Sequence, residues 1–184
     1  GMDPYELRPK NIARAGEPWF LPYPCSSTEL ADCMKQGAER IGWERRGTFD
    51  NSGPVKRGLG LAVGTHVSNA WPFCVDYDNA YATVQVDGSW HVAAGVPDLG
   101  TGSSTTLPQI AAETFGVELD QIHLSFGDTA TTPFTIGSHA SRTLYAMGLA
   151  VKAAAEDARA QALAYAARLL EKETDDLDLR EGIV

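Results

Sequence analysis

A loop rich in glycine and hydroxyl residues is the segment of this chain best suited to bind a ligand. It covers residues 98–106 (DLGTGSSTT) and connects a strand-like run at 90–96 to a helical-looking run at 107–115. The first backbone N–H groups of a helix have no partner inside the helix, and a glycine loop lets an oxyanion approach them. The alternative is that residues 103–106 cap the helix and the glycines make a turn. The segment alone leaves both interpretations open.

A second loop of the same kind follows a second predicted strand. Residues 121–126 alternate apolar and polar side chains as a strand does, and residues 127–143 then lead into a predicted helix. Two helix N-termini that converge would offer several backbone donors and hydroxyls, and Arg142 could add a forked guanidinium. This combination suits a phosphate or pyrophosphate, although the chain has neither a Walker lysine nor a dinucleotide-binding glycine pattern. Two ordinary capped helices without a ligand are the alternative.

Cysteine and histidine spacing gives no sign of a metal site or a disulfide framework. The three cysteines form no Cys-x-x-Cys pair and the four histidines show no ligand spacing; these residues are Cys25, Cys33, Cys74, His66, His91, His123 and His139. An odd number of cysteines without framework spacing favours a reducing compartment. The chain shows no signal peptide and no apolar run long enough to cross a bilayer. We therefore expect a cytoplasmic protein without a membrane partner.

Length and charge set the remaining limits. A chain of 184 residues can bury a substantial core, and its 43% hydrophobic and 21% charged residues are ordinary for a globular protein. The net charge is −9 and no basic cluster occurs. A nucleic-acid surface needs a basic face, so we expect no nucleic-acid partner.

The first part of the chain, residues 1–50, predicts two helices joined by a strap. Residues 2–11 predict a short helix with Asp3 at its N-cap. Residues 16–24 (GEPWFLPYP) predict an extended strap, because prolines interrupt regular structure. Residues 27–43 predict an amphipathic helix capped by Ser27 or Thr28.

The second part, residues 51–184, predicts strands and a long helix. Residues 56–66 predict a strand with one face nearly bare, suited to close approach by a helix, or else an irregular bulged strand. Residues 80–86 and 89–96 flank Asp87-Gly88, which predicts a hairpin with a two-residue turn. Residues 141–172 predict an alanine-rich helix and residues 177–184 a last short strand. The fold class predicted is α+β, with a mixed or mostly antiparallel sheet and the long helix packed on it.

Several segments together resemble a known family. They are residues 1–11, 56–60, 98–103, 109–113, 127–129, 132–133 and 137–143. The chain resembles the molybdenum-binding large subunit of the xanthine dehydrogenase family of molybdenum hydroxylases, and the two loops in this order are the most specific part of the likeness. Their residues are most similar to those of 4-hydroxybenzoyl-CoA reductase and related enzymes of aromatic substrates.

The resemblance implies part of a molybdenum-cofactor-binding domain. In such enzymes these loops hold molybdopterin, as the cytosine dinucleotide or the mononucleotide, by backbone donors and hydroxyls. The cofactor-binding residues implied are Leu99, Gly100, Thr101, Gly102, Ala140, Ser141, Arg142 and Thr143. Arg142 could equally have a structural role. Thr101 stands where many members have glutamine, and its shorter side chain makes fewer contacts.

The resemblance also implies what this chain needs from elsewhere. The family's catalytic glutamate and an earlier glutamine-glycine loop have no counterpart here, so we assign no catalytic and no metal-ligating residue. We expect an internal fragment of the subunit, inactive alone and with little or no cofactor bound alone. Its implied partners are the remaining segments of the molybdenum subunit and iron–sulfur and FAD subunits, and exposed apolar surface predicts self-association. The alternatives are a non-catalytic pterin-binding or assembly module and an inactive truncated remnant.

Overall fold

The chain forms two compact units. The computed structural model describes residues 1–68, 71 and 74–184. Its contacts separate Gly1–Thr65 from His66–Val184, and each unit is described here by itself. A functional division between residues 1–50 and 51–184 stays a prediction.

The first unit begins with the predicted short helix. Helix α1 covers Pro4–Leu7 and continues as a 3-10 turn, Arg8–Lys10. Asp3 is the N-cap, and its carboxylate accepts a 2.6 Å hydrogen bond from the backbone N–H of Tyr5. The same carboxylate accepts from the indole Nε1 of Trp43 at 3.2 Å. The capping prediction is confirmed, and the cap also ties α1 to a distant segment.

The second helix is shorter than predicted at both ends. Helix α2 covers Leu30–Ile41, with Glu29 in the N-cap position, so the prediction of a Ser27 or Thr28 N-cap is wrong. Gly42 ends it in the left-handed region at φ 68°, where glycine carries no Cβ penalty.

Two irregular segments of the first unit differ from the sequence prediction. Residues 16–24 form no regular element, but they are closed into a loop rather than extended. Gly16 donates its N–H to the carbonyl of Cys25 at 2.8 Å, and Cys25 donates to the carbonyl of Glu17 at 2.9 Å. The strand predicted at 56–66 does not form. Alternating glycines raise the entropic cost of an extended segment, and a strand is stable only when a neighbour pairs with it.

A mixed three-stranded sheet organises the second unit. Strands β1 (Ala80–Val84), β2 (Trp90–Ala94) and β3 (Ile122–Phe126) lie in the order β1-β2-β3. Strand β2 pairs antiparallel with β1 and parallel with β3. The predicted α+β class with a mixed sheet is confirmed.

The β1–β2 hairpin has a longer turn than its sequence predicted. Gln85 donates its N–H to the carbonyl of Ser89 at 2.8 Å, and the N–H of Gly88 donates back to the carbonyl of Gln85 at 3.1 Å. Residues 86–88 therefore form a three-residue loop, so the predicted two-residue turn is wrong. Gly88 takes the left-handed position of such a loop at φ 87°.

Both helices of the second unit start at positions other than those predicted. Helix α3 covers Ser103–Phe115, because Gly102 already turns the chain at φ 78°. Residues 103–106 are thus its first turn rather than caps outside it. Helix α4 covers Gly148–Leu170 and follows a π-helical turn at Thr143–Met147. The predicted start at Ser141 is wrong, since Ser141 has a left-handed backbone at φ 55°.

The core lies between the sheet and helices α3 and α4. The ring of Trp90 stacks on Phe115 at a centroid distance of 3.9 Å. The other fully enclosed apolar side chains include Val92, Val96, Leu107, Ala111, Met147, Val151 and Ala155. Helix α4 packs on α3 and on β1, where Ala80 and Ala82 border the core. Their small side chains let the helix approach, which is the role the sequence analysis gave to residues 56–66.

The C-terminal segment is held by the end of α3 rather than by a sheet. The strand predicted at 177–184 is wrong; within the described chain this segment has one isolated bridge, Arg180 with Ile183. Glu181 donates its N–H to the carbonyl of Gly116 at 2.6 Å, and Leu179 is buried. Among the described helices, none has the length and apolar character to span a membrane.

Candidate functional site

The parallel pairing of β2 and β3 brings the two glycine- and hydroxyl-rich loops together. The first loop, residues 97–102, follows β2, and the second loop, residues 127–142, follows β3. Parallel strands end at the same edge of a sheet, and ligands of α/β sheets bind beyond such carboxyl ends. Gly95 lies directly against the carbonyl oxygen of Pro133, and Ser138 Oγ donates to the carbonyl of Pro97 at 3.4 Å. The loops therefore face each other across a short gap.

A cavity of about 490 Å³ lies between the loops. This volume falls within the range of small-molecule sites, about 300–1,000 Å³. Five residues predicted to bind a cofactor line it, namely Leu99, Thr101, Ala140, Ser141 and Thr143. The described lining also contains His66, Ser103, Thr106, Ser138, His139 and Leu144, which the sequence analysis did not assign to the site. Gly100, Gly102 and Arg142 belong to the loops but are not among the described lining residues.

Asp98 organises the first loop. Its Oδ1 accepts the backbone N–H of Gly100 at 2.9 Å and of Gly102 at 3.1 Å. Its Oδ2 accepts the N–H of Ser104 at 3.0 Å and the hydroxyl of Ser104 at 2.6 Å. The carboxylate thus accepts one N–H group of the loop, at Gly100, and two at the start of α3, at Gly102 and Ser104. No role in the site was predicted for Asp98 from the sequence; an aspartate followed by glycines two and four residues later is the signal that could have indicated one.

These hydrogen bonds hold the pKa of the Asp98 carboxyl well below its usual range. The largest causes are the hydroxyl and then the N–H of Ser104. Burial opposes them and raises the pKa, and the N–H groups of Gly100 and Gly102 lower it further by smaller amounts. Each donor stabilises the ionised form, and a carboxylate with several such donors is a strong acid.

Replacing Asp98 with asparagine is therefore expected to cost stability in a pH-dependent way. An unfolded aspartate has a pKa of about 3.9, whereas the native group has a lower one, so its contribution is fully present above that value. The contribution is lost as the pH falls through the native pKa. The difference in Tm between wild type and Asp98→Asn should be largest near neutral pH and shrink below pH ~4. Thermal melts from pH 7 to pH 3 measure it. Asp120→Asn, at an exposed position without a described hydrogen bond from its side chain, is the control, and a gap that stays constant with pH would contradict the assignment.

The buried guanidinium of Arg142 stabilises the second loop by hydrogen bonds and ion pairs. Its side chain is 1% exposed. Its Nε donates to Asp76 Oδ1 at 2.6 Å and its Nη2 to Asp78 Oδ2 at 2.7 Å. Its Nη1 donates to the carbonyl of Gly137 at 2.9 Å, and Nη2 also to that of Tyr77 at 3.2 Å.

The charge of Arg142 is stabilised where it lies. Burial disfavours the cation, but the hydrogen bonds to Asp78 and Asp76 outweigh burial and raise its pKa above the ordinary value. This geometry gives Arg142 a structural role; a direct ligand contact from it stays a prediction. The sequence analysis missed both aspartates, whose spacing of two residues just before β1 was the available signal.

The second loop has unpaired backbone donors at the cavity. Ala140 and Ser141 have left-handed backbones, at φ 48° and 55°, a conformation that costs free energy in residues with a Cβ. No hydrogen-bond acceptor for their N–H groups is found in the described part of the chain. Left-handed residues of this kind cluster at ligand sites. Ala140 and Ser141 therefore have backbone donors that are available to a ligand.

Ser103 adds a buried hydroxyl to the cavity wall. The residue is 3% exposed, and its Oγ is buried without a hydrogen-bond partner among the described residues. Buried polar groups are nearly always paired in native proteins. The sequence analysis treated Ser103 only as a possible helix cap, since nothing in its local sequence shows burial.

Comparison with known proteins gives a consistent family. The family model described as "Molybdopterin cofactor-binding domain" matches residues 36–184. The putative xanthine dehydrogenase molybdenum-binding subunit XdhA of Escherichia coli K12 is 33% identical over 99% of this chain and 25% of its own length. The carbon monoxide dehydrogenase large chain of Hydrogenophaga pseudoflava is 29% identical over 96% of this chain and 24% of its own length. This chain thus spans about a quarter of the length of these relatives.

Solved structures agree with the sequence matches. Reconstituted CO dehydrogenase from Oligotropha carboxidovorans aligns with a TM-score of 0.54 and 26% identity, over 96% of this chain and 24% of that one. Quinoline 2-oxidoreductase from Pseudomonas putida 86 aligns with a TM-score of 0.53 and 28% identity, over 59% of this chain and 14% of that one.

Proposed function

The chain belongs to the molybdopterin cofactor-binding domain family, and from this premise we propose that it supplies two loops that hold molybdopterin in a larger oxidoreductase. The observation that carries the proposal is the cavity of about 490 Å³ bordered by both loops. Free loop N–H groups and hydroxyls suit a phosphate, and apolar side chains suit a flat ring. We propose the cytosine dinucleotide as the form of the cofactor.

The residues present fit such a group. Ala140 and Ser141 offer unpaired N–H groups on one wall, and Ser103 offers a buried hydroxyl without a partner. Leu99 and Leu144 supply apolar surface. The bound group would supply the redox chemistry of its molybdenum, while the described residues orient it and keep the loops in place.

Catalysis requires groups beyond those described in this cavity. A general base must lie within hydrogen-bond reach of the group it deprotonates, and no Asp or Glu is among the described lining residues. We propose that the chain is inactive alone and acts with the remaining segments of its subunit and with iron–sulfur and FAD partners. A cytoplasmic location stays a prediction. So does self-association, for which exposed Tyr145 and Leu149 offer apolar surface.

Direct titration tests the proposal. The purified chain is titrated anaerobically with molybdopterin released from a known molybdenum enzyme, and binding is followed by equilibrium dialysis of the pterin. The chain as purified should carry little or no cofactor, but we expect the added cofactor to bind saturably and without turnover of aldehyde, purine or aromatic substrates. Thr101→Trp, which places a large ring at the cavity, should weaken binding at least ~10-fold, equivalent to about 1.4 kcal/mol.

A matched control and the contrary results complete the test. Thr129→Trp adds the same ring to an exposed position of the second loop outside the described lining, and it should bind as wild type does. Absence of saturable binding by wild type, or undiminished binding by Thr101→Trp, would refute the proposed function. An assembly module would bind equally well but would not gain turnover when the remaining segments of the subunit are added.

A further inference from the structure

Among the described residues, the hydroxyl of Ser103 is the buried side-chain polar group that has no hydrogen-bond partner. Ser103 is 3% exposed and lines the cavity, and Oγ has no hydrogen-bond partner in the described structure. Its neighbours differ in this respect. Ser104 Oγ donates to Asp98 at 2.6 Å, and Thr106 Oγ1 donates to the carbonyl of Gly102 at 3.1 Å.

The start of α3 explains why Ser103 lacks a local acceptor. A serine inside a helix commonly donates its hydroxyl to the carbonyl three or four residues earlier. Helix α3 begins at Ser103, so the residues at those positions, Leu99 and Gly100, belong to the first loop. Gly100 and Gly102 have left-handed backbones, at φ 93° and 78°, and the chain between them does not follow the helical path. The local carbonyls are therefore not presented to the hydroxyl as they would be within a helix.

Asp98 also limits what else the first loop can offer a ligand. Its carboxylate accepts the N–H groups of Gly100, Gly102 and Ser104. Of the remaining backbone donors on this wall, the N–H groups of Thr101 and Ser103 have no acceptor among the described residues. On the opposite wall, the N–H groups of Ala140 and Ser141 are unpaired within the described chain.

We propose that Ser103 binds the ligand of this cavity, donating its hydroxyl to an oxygen or ring nitrogen of molybdopterin from the α3 wall. This inference rests on the proposed function and adds a specific contact to it. This contact accounts for the buried, unpaired hydroxyl of Ser103. The hydroxyl costs free energy in the ligand-free protein and gains its hydrogen bond when the ligand binds. Ser104, by contrast, serves the first loop through Asp98.

Paired alanine variants separate a ligand contact from a structural bond. Ser103→Ala removes an unpaired buried hydroxyl, so the Tm of the ligand-free chain should stay the same or rise. Its affinity for molybdopterin should fall about 10-fold in the dialysis titration. Ser104→Ala is the control for a bonded hydroxyl, and its ligand-free Tm should fall because Asp98 loses a hydrogen bond.

Two further titrations identify the acceptor. A pterin without a phosphate and inorganic phosphate are each titrated into wild type and Ser103→Ala. A loss of affinity confined to the pterin indicates a ring acceptor, and a loss confined to phosphate indicates a phosphate oxygen. Either result supports the contact.

The contrary outcomes are distinct from failure of the proposed function. Undiminished binding of molybdopterin by Ser103→Ala, with wild type binding normally, overturns the Ser103 contact alone. A Tm of Ser103→Ala lowered as far as that of Ser104→Ala also overturns it, since the hydroxyl would then have a structural partner. Absence of saturable binding by wild type refutes the proposed function, and the Ser103 contact with it.

Discussion

Replacing Asp78 with alanine is expected to lower the free energy of unfolding by about 3–5 kcal/mol. The side chain of Asp78 is fully buried, as is that of Arg142, and the two form a salt bridge at 2.7 Å. Asp78 also accepts the hydroxyl of Thr135. Its loss leaves a buried guanidinium with Asp76 as its remaining charged partner, and uncompensated buried charge is among the most destabilising single changes.

Urea denaturation of the purified chain measures this loss. Asp175→Ala, at an exposed position, is the control and should change the unfolding free energy by less than about 0.5 kcal/mol. The double replacement of Asp78 with leucine and Arg142 with methionine removes both charges and should recover much of the stability. A loss below ~1 kcal/mol in Asp78→Ala would mean that the pair is not buried in solution.

Asp78→Ala is also expected to weaken ligand binding at the site, because Arg142, which donates to Asp78, donates to the carbonyl of Gly137 as well. This bond joins the salt bridge to the second loop, which carries Ala140 and Ser141. Conditions that keep Asp78→Ala folded should therefore still show weaker binding of molybdopterin than wild type.

Replacing Gly95 with alanine is the second change expected to have a large effect. A Cβ at Gly95 would overlap the carbonyl oxygen of Pro133 and lie 3.0 Å from Cγ2 of Thr135. Pro133 is buried, and a backbone oxygen cannot turn aside as a flexible side chain can. The two loops must separate, at a cost of about 1–3 kcal/mol, so both the stability and the affinity for molybdopterin should fall.

Gly60→Ala is the matched control for Gly95→Ala. A Cβ there has nothing within 4 Å, and Gly60 has no positive φ. Such a replacement restricts the unfolded chain and is expected to be neutral or to stabilise by up to about 1 kcal/mol. Equal effects of the two substitutions on the melting curve would argue against the contact between the loops.

The two loops contribute differently to the site, although their compositions are alike. Asp98 stabilises the first loop by accepting hydrogen bonds from the N–H groups of Gly100, Gly102 and Ser104. Arg142 stabilises the second loop by donating to the carbonyl of Gly137. The N–H groups of Ala140 and Ser141 in this loop have no acceptor in the described chain. The two loops are therefore stabilised by different groups, a carboxylate in the first and a guanidinium in the second.

Features encoded over a few neighbouring residues could be predicted from the sequence. Asp3 before a proline indicated the first helix cap, and alternation at residues 121–126 indicated β3. The alanine-rich run indicated the long helix α4. Such patterns reflect local backbone preferences and burial periodicity, which depend little on distant parts of the chain.

Predictions that required a distant partner failed. Residues 56–66 and 177–184 have strand-like sequences, but in the described part of the chain no neighbour pairs with them as a sheet strand. Local turn and helix-start details failed as well, because Gly88, Gly102 and Ser141 adopt left-handed backbones that composition does not specify.

The sequence by itself determined the family resemblance, the α+β class and the two loops whose residues suit a phosphate-bearing ligand. Only the tertiary structure decided that β2 and β3 pair in parallel, which places both loops at one edge of the sheet. It also decided that Arg142 pairs with Asp76 and Asp78, and that Asp98 accepts the N–H of Ser104 at the start of α3. The burial of the Ser103 hydroxyl without a partner among the described residues likewise depends on the tertiary structure. The reason is physical: a hydrogen bond depends on where two groups lie in space, and folding brings Arg142 and Asp76 together from 66 positions apart in the chain.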